Sequence, residues 1–188
     1  MKYIILLLVM PFIISCEKKI EKDKKVREQQ KIVREIKKED LNFSLNAKPE
    51  YFSARTINGK LFNSADYKGK TIVIFIYDKS YLVKSGTYDM SEEFNGIYNT
   101  YKDKAKFIGI IEGFNDSKAE FDKNLKNSKI AFDQIDNTIS ENTEDKLHYN
   151  LSCSPAKVII DKTGKVILST CGGKNDTELV DKLKNLEE

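Results

Sequence analysis

The residues Thr71-Ile72-Val73-Ile74-Phe75-Ile76-Tyr77 form an unbroken run of β-branched and aromatic side chains. Successive residues of a strand point to opposite faces, so a strand apolar at every position has to be covered on both sides. This segment therefore predicts the central strand of a sheet, and the rest of the chain has to supply the cover. Phe107-Ile108-Gly109-Ile110-Ile111 predicts a second buried strand, parallel to the first if the crossover between them is regular. Asp89 and Glu92 form a capping box in that crossover, and Met90, Phe94, Ile97, Tyr98 and Tyr101 follow at helical spacing. Ser117 with Glu120 opens a further helix carrying Phe121 and Leu125. Another helix is expected over residues 142–149. Residues 156–160 and 166–169 flank Lys162-Thr163-Gly164 as an antiparallel hairpin, and Asn175 with Glu178 caps a last helix with Leu179, Val180, Leu183 and Leu186 facing inward. Upstream, Asn58-Gly59 between Arg55-Thr56-Ile57 and Lys60-Leu61-Phe62 is a hairpin signal. Strand and helix signals alternate from Lys48 onwards, which predicts an α/β fold with some parallel pairing.

The chain has 188 residues, enough for one ordinary domain with appendages, and its ten Phe and nine Tyr exclude a disordered or low-complexity polymer. Three Cys and a single His leave no ligand set for zinc or haem, so neither metal nor cofactor is expected. The net charge of +3 is unevenly spread. Residues 17–40 hold ten Lys/Arg against seven Asp/Glu, whereas residues 41–188 hold 21 against 22. The basic excess belongs to the N-terminal appendage, and no stripe of Lys and Arg interleaved with aromatics marks the domain as a nucleic-acid binder.

At the N-terminus, Met1-Lys2 precedes an apolar run over residues 3–14, too short to span a bilayer, which needs about 20 apolar residues. The run ends at Ile13-Ile14-Ser15-Cys16 and resembles a bacterial lipoprotein signal. The resemblance implies a leader of residues 1–15, cleavage before Cys16, and acylation of Cys16 through sulfur and the new amino end, several acyl chains anchoring stably where one does not. The membrane is then a partner through lipidated Cys16. Residues 16–47 are expected to be the lipidated Cys and a charged stalk, in which Glu21 with Lys25 and Asp23 with Arg27 offer favourable helical spacings. Residues 48–188 are expected to be the domain.

Three segments of that domain resemble the thioredoxin fold, and more narrowly the membrane-tethered thiol-disulfide oxidoreductases and the alkyl hydroperoxide reductase/thiol-specific antioxidant group. They are Pro49-Glu50-Tyr51-Phe52 with Asn58-Gly59-Lys60 and Tyr67-Lys68-Gly69-Lys70; Tyr149-Asn150-Leu151-Ser152-Cys153-Ser154-Pro155; and Ile159-Ile160-Asp161-Lys162-Thr163-Gly164-Lys165. The resemblance implies a three-layer α/β/α domain with a central mixed sheet, a location in the bacterial cell envelope facing the periplasm, and a cis bond at Pro155 facing the active site. Backbone groups beside such a proline are free to receive an extended chain, so Ser154 and Pro155 mark a groove for an extended peptide or an envelope protein.

The departure from that family is as informative as the match. Its reaction uses a CxxC pair, or in peroxidases one Cys, between the central strand and the next helix, where the helix N-terminus lowers the thiol pKa. Counting back from the helix puts Lys84, Ser85, Gly86 and Thr87 in that place, and counting forward from the strand puts Tyr81, Leu82, Val83 and Lys84 there. Neither set contains sulfur, and a hydroxyl cannot replace a thiolate in disulfide exchange. Cys153 and Cys171 remain once Cys16 is lipidated. Folding the hairpin about Lys162-Thr163 sets Cys153 near residue 172 and Cys171 near Ser154, so their sulfurs fall in or near bridging range. Three states stay open for them: a structural or regulatory disulfide, two unpaired half-buried thiols, or a relocated redox pair. Two functions follow. One is an envelope lipoprotein with a thioredoxin-like binding or accessory module lacking the usual dithiol; the other is a divergent thiol-disulfide oxidoreductase or antioxidant protein centred on Cys153 and Cys171. His148 is expected at a surface or helix end, and Ser85-Gly86-Thr87 as a short polar loop.

Overall fold

The computed structural model describes residues 40–139, 146–173 and 177–186. The leader, Cys16, the stalk up to residue 39 and the cap at Asn175 lie outside them. A five-stranded sheet has the order β5-β4-β3-β6-β7, built from β3 (Thr71–Asp78), β4 (Ala105–Glu112), β5 (Asp133–Asp136), β6 (Ala156–Ile160) and β7 (Val166–Cys171). β3 pairs in parallel with β4 and β4 with β5, whereas β6 runs antiparallel to both β3 and β7. A separate two-stranded hairpin joins β1 (Ser53–Arg55) to β2 (Leu61–Asn63). Gly59 in its turn has φ +79°, a left-handed conformation in which L side chains are strained.

The continuous apolar run is the central strand, and every residue from Thr71 to Tyr77 is buried. Alternation divides it between two cores. Val73, Phe75 and Tyr77 face helices α1 (Met90–Tyr101), α2 (Lys118–Ser128) and α3 (Thr177–Lys184), whose Phe94, Phe121, Leu179 and Leu183 join the same cluster. Phe75 stacks on Phe94 with ring centroids 4.0 Å apart. Ile72, Ile74 and Ile76 face the other way, onto Leu41, Phe43, Phe52 and Phe62. Both helix starts carry the caps read from the sequence: Asp89 accepts from the Glu92 N–H and Ser117 from the Glu120 N–H. In α3, Leu179 and Leu183 are fully buried, and beyond its end Leu186 is partly buried against the core.

Two expectations need correction. The folded unit starts well before Lys48. Leu41 and Phe43 are buried in the second core, and the Phe43 N–H donates to Asn150 Oδ1 at 2.8 Å. The compact unit accordingly begins at Asp40, so the last residues assigned to the stalk belong to the domain. The helix expected over residues 142–149 lies partly outside the described residues, and residues 146–149 are not helical. Their backbone is committed elsewhere, since the Leu147 N–H donates to Asn137 Oδ1 and the His148 carbonyl accepts from the Leu41 N–H. The expected α/β fold with its central mixed sheet is present. Among the described residues the three helices contribute to one core, and the opposite face is closed by the hairpin and the extended segment after Leu41.

Candidate site at the cis-proline end of the sheet

The C-terminal ends of β3 and β4 and the start of β6 lie side by side, with Asp78 opposite Glu112 and Ile76 opposite Ala156. β3 runs into a 3-10 turn over Lys79–Leu82, capped by the Asp78 carboxylate accepting from the Ser80 N–H at 2.9 Å. Beside it the Ser154–Pro155 bond is cis, and Pro155 is buried. Three hydrogen bonds fix this loop. The Asp78 N–H donates to Ser154 Oγ at 2.6 Å. The Tyr81 hydroxyl donates to the Ser154 carbonyl at 3.4 Å. The Gly172 N–H donates to the Pro155 carbonyl at 2.8 Å. The backbone N–H groups of Ser152, Cys153 and Ser154 have no partner among the described residues, and Ser152 and Ser154 are exposed. A buried strand end leaves such donors unmet only at a cost, whereas an exposed loop keeps them available to water or to another chain.

Cys153 and Cys171 form a disulfide with Cα atoms 5.9 Å apart, within the ordinary range. Of the three states left open by the sequence, two unpaired thiols are not what is present; a bridge suits both a structural disulfide and an oxidised redox pair. The hairpin register differs from the symmetric fold about Lys162-Thr163: the turn centres on Thr163, pairing Ile160 with Val166, and an irregularity between Ile159 and Ile160 shifts the pairing by one more residue, so Cys171 lies opposite Ala156. Cys153 is half-buried against the second core and Cys171 is exposed.

The two registers weighed for the junction before α1 separate cleanly. Tyr81 is the residue that reaches Ser154. Lys84, Ser85, Gly86 and Thr87 form an exposed knuckle before α1 instead. Ser85 closes it, its hydroxyl donating to the Tyr88 carbonyl and accepting from the Tyr88 N–H, both at 3.0 Å. Lys84 Nζ sits 3.2 Å from Asp89 Oδ2. The Glu92 N–H chiefly, and Lys84 in addition, hold the Asp89 carboxyl below the usual range against an opposing effect of desolvation. The helix N-terminus, a place that can stabilise an anion, is thus occupied by a carboxylate cap.

Several participants carried no sequence signal of their own. Tyr88 stands edge-on to Tyr81, with centroids 6.2 Å apart, and lies so close to Gly173 that a Cβ there would meet the ring at 2.7 Å. Gly113 has φ +103° and a Cβ on it would fall 2.3 Å from the Asp78 carboxylate, so this crossing point requires glycine. Tyr149 donates its hydroxyl to Glu112, and burial first, with Glu112 second, raises its pKa above the ordinary phenol value. His148 is exposed. No cluster of three His, Cys, Asp or Glu suited to a metal occurs among the described residues.

No family model matches the chain, and no curated protein does. Solved structures do. A DsbF homologue from Corynebacterium diphtheriae aligns at 17% identity over 75% of this chain and 87% of its own, with a TM-score of 0.59. The thioredoxin domain of a thiol-disulfide oxidoreductase from Bacteroides vulgatus gives 14% identity, 76% and 99% coverage and a TM-score of 0.53. The exposed lipoprotein thioredoxin of Streptococcus pneumoniae gives 19%, 73% and 100%, and 0.55. At these identities the likeness establishes the fold, which is thioredoxin-like, and leaves the chemistry to the site.

Proposed function

We propose that this chain is an extracytoplasmic, lipid-anchored binding module that holds an extended polypeptide against the cis-proline loop and does not perform dithiol exchange at the head of α1. The observation that carries this is a division within one site. The loop at Ser152, Cys153 and Ser154 presents three backbone donors without partners, while the junction from Asp78 to Asp89 contains no sulfur. An extended chain laid beside the loop would meet those donors with its own carbonyls, as in strand addition. The Ile13-Ile14-Ser15-Cys16 motif and the presence of an exposed lipoprotein thioredoxin among the structural neighbours support the envelope location and the anchor.

The test uses the full chain and reduced, carboxymethylated lactalbumin as an unfolded probe. Binding that weakens about tenfold in Ser152→Pro, which deletes one loop donor, supports the module; the same affinity in both proteins sinks it. Labelled palmitate incorporated by the wild-type chain and lost in Cys16→Ser supports the anchor, and equal incorporation rejects it.

A second function is favoured by the exposed Cys171 in a disulfide next to the cis-proline. In it, a substrate thiolate attacks Cys171 Sγ, forming a mixed disulfide and releasing the Cys153 thiolate. A second thiolate of the same substrate then attacks the substrate sulfur of that bond and releases the Cys171 thiolate. The substrate dithiol is oxidised, the protein disulfide is reduced, and the two substrate protons pass to the released thiolates or to water. Stoichiometric oxidation of a dithiol peptide, abolished in the Cys153→Ser, Cys171→Ser chain, would favour this function over the binding module.

A further inference from the structure

The far end of the sheet carries a feature that neither function uses. β3 begins at Lys70-Thr71, β4 begins just after Lys102 and Lys104, and β6 ends just before Lys162. Because β3 and β4 are parallel and β6 antiparallel, these termini meet at one pole. Eight residues at about 3.3 Å each put that pole roughly 25 Å from the cis-proline end. Two adjoining concavities of about 530 and 240 Å³ mark it, and they share Tyr67, Gly69, Lys70 and Lys162.

Lys68, Lys70, Lys102, Lys104 and Lys162 surround these concavities and are all exposed. None of the five is in an ion pair among the described residues, whereas Lys79, Lys84, Lys106, Lys118 and Lys157 each face a carboxylate. Acidic groups do reach the pole, through Asp103, Glu50 and Asp161, but the Asp161 carboxylate is engaged by Thr163 and Lys165 of its own turn. The opposite end of the sheet carries Asp78, Glu112, Asp116 and Asp136, of which Asp116 is paired with Lys79 and Asp136 with Lys146. A domain whose Lys/Arg and Asp/Glu almost cancel is therefore polarised along its strands.

We infer that the lysine pole is a docking face for an anionic phospholipid surface, on which it sets the domain upright with the cis-proline loop directed away from the bilayer. Charge complementarity carries this assignment. A ring of five unpaired cations around shallow concavities suits many headgroup phosphates at once, and each lysine near an anionic leaflet raises the partition coefficient about fivefold. At the far end Lys79, Lys84 and Lys146 each face a carboxylate, so among the described residues it offers no comparable ring of unpaired cations, and the field favours one orientation over its inverse.

The experiment places the full chain on phosphatidylcholine vesicles and on vesicles containing about 30% phosphatidylglycerol, and follows acetylation of individual lysines by mass spectrometry. On the anionic vesicles, Lys68, Lys70, Lys102, Lys104 and Lys162 should react at least fivefold more slowly, while Lys123 and Lys126 on α2 keep their rates. About 0.5 M salt should remove the protection. In the triple variant Lys70→Glu, Lys102→Glu, Lys104→Glu, the remaining Lys68 and Lys162 should react equally on both vesicles. Equal rates for the wild-type lysines on the two vesicle types would overturn the inference. Protection by inorganic phosphate alone, without vesicles, would also overturn it, in favour of a small soluble anion. Flotation with phosphatidylcholine vesicles reports the anchor separately, and binding of carboxymethylated lactalbumin reports the cis-proline loop separately.

Discussion

The loop before β6 and the junction before α1 sit against each other, joined by the Asp78 N–H to Ser154 hydrogen bond, yet they differ in what they keep of a thioredoxin-like site. The loop offers backbone geometry: a cis bond at Pro155 and donors beside it that have no partner among the described residues. The junction contains no sulfur, and Tyr81 and the Lys84 to Thr87 knuckle occupy it instead. Binding that relies on main-chain groups tolerates side-chain change, whereas thiol chemistry disappears with a single atom type. In this chain the sulfur at this end of the sheet lies on the loop side, as Cys153–Cys171.

That contrast can be broken at four places, taken from the largest effect to the smallest. The first is the covalent tie. Replacing both Cys153 and Cys171 by Ala frees a separation of 18 residues and should lower the unfolding free energy by about 3 kcal/mol, measured by urea denaturation under oxidising conditions. An unchanged midpoint would mean that the noncovalent contacts of Ser154 and Pro155 hold the loop unaided.

The junction is probed next by Gly113→Val. Its Cβ would fall 2.3 Å from the Asp78 carboxylate at φ +103°, so a loss of about 2 kcal/mol is expected. A variant as stable as the wild type would show that the junction is soft where it is described as close-packed.

Ser154→Ala cuts the link between the two regions by leaving the Asp78 N–H without its acceptor. About 1 kcal/mol should be lost, together with faster amide exchange at Asp78. If exchange at Asp78 stays slow, the two regions are not coupled through this bond.

The smallest effect is electrostatic. Asp89 has a depressed pKa, chiefly because it accepts from the Glu92 N–H. A carboxyl depressed on folding stabilises above its unfolded pKa of about 3.9 and loses that contribution as pH falls through the lower folded value. Asp89→Asn should therefore cost about 0.5 kcal/mol at neutral pH and nothing in strong acid. A difference that persists in acid would point to lost geometry instead of lost charge.

The parts of the fold legible in the sequence are those specified by neighbours in the chain. The buried run at Thr71, the caps at Asp89 and Ser117 and the turn at Gly59 each depend on residues within a few positions. The cis-proline became legible through resemblance of the segment around Tyr149 and Pro155, not through any property of Pro155 alone. Leu41 and Phe43 were illegible because what recruits them lies far along the chain: Asn150 meets Phe43 across 107 positions. The expected helix at residues 142–149 failed over its described end because Asn137 and Leu41 claim that backbone.

The sequence by itself determined that this chain builds a sheet with a doubly covered central strand, and that no thiol stands between that strand and the helix at Asp89. Both are matters of local composition. Only the tertiary structure decided that Cys153 and Cys171 are joined and that five distant lysines share one pole. Sulfur pairing depends on a strand register that an irregularity at Ile159 and Ile160 shifts, and the lysine pole exists because β3, β4 and β6 bring their termini together. Proximity of that kind is set by the balance of burial over the whole core, which no short window of residues contains.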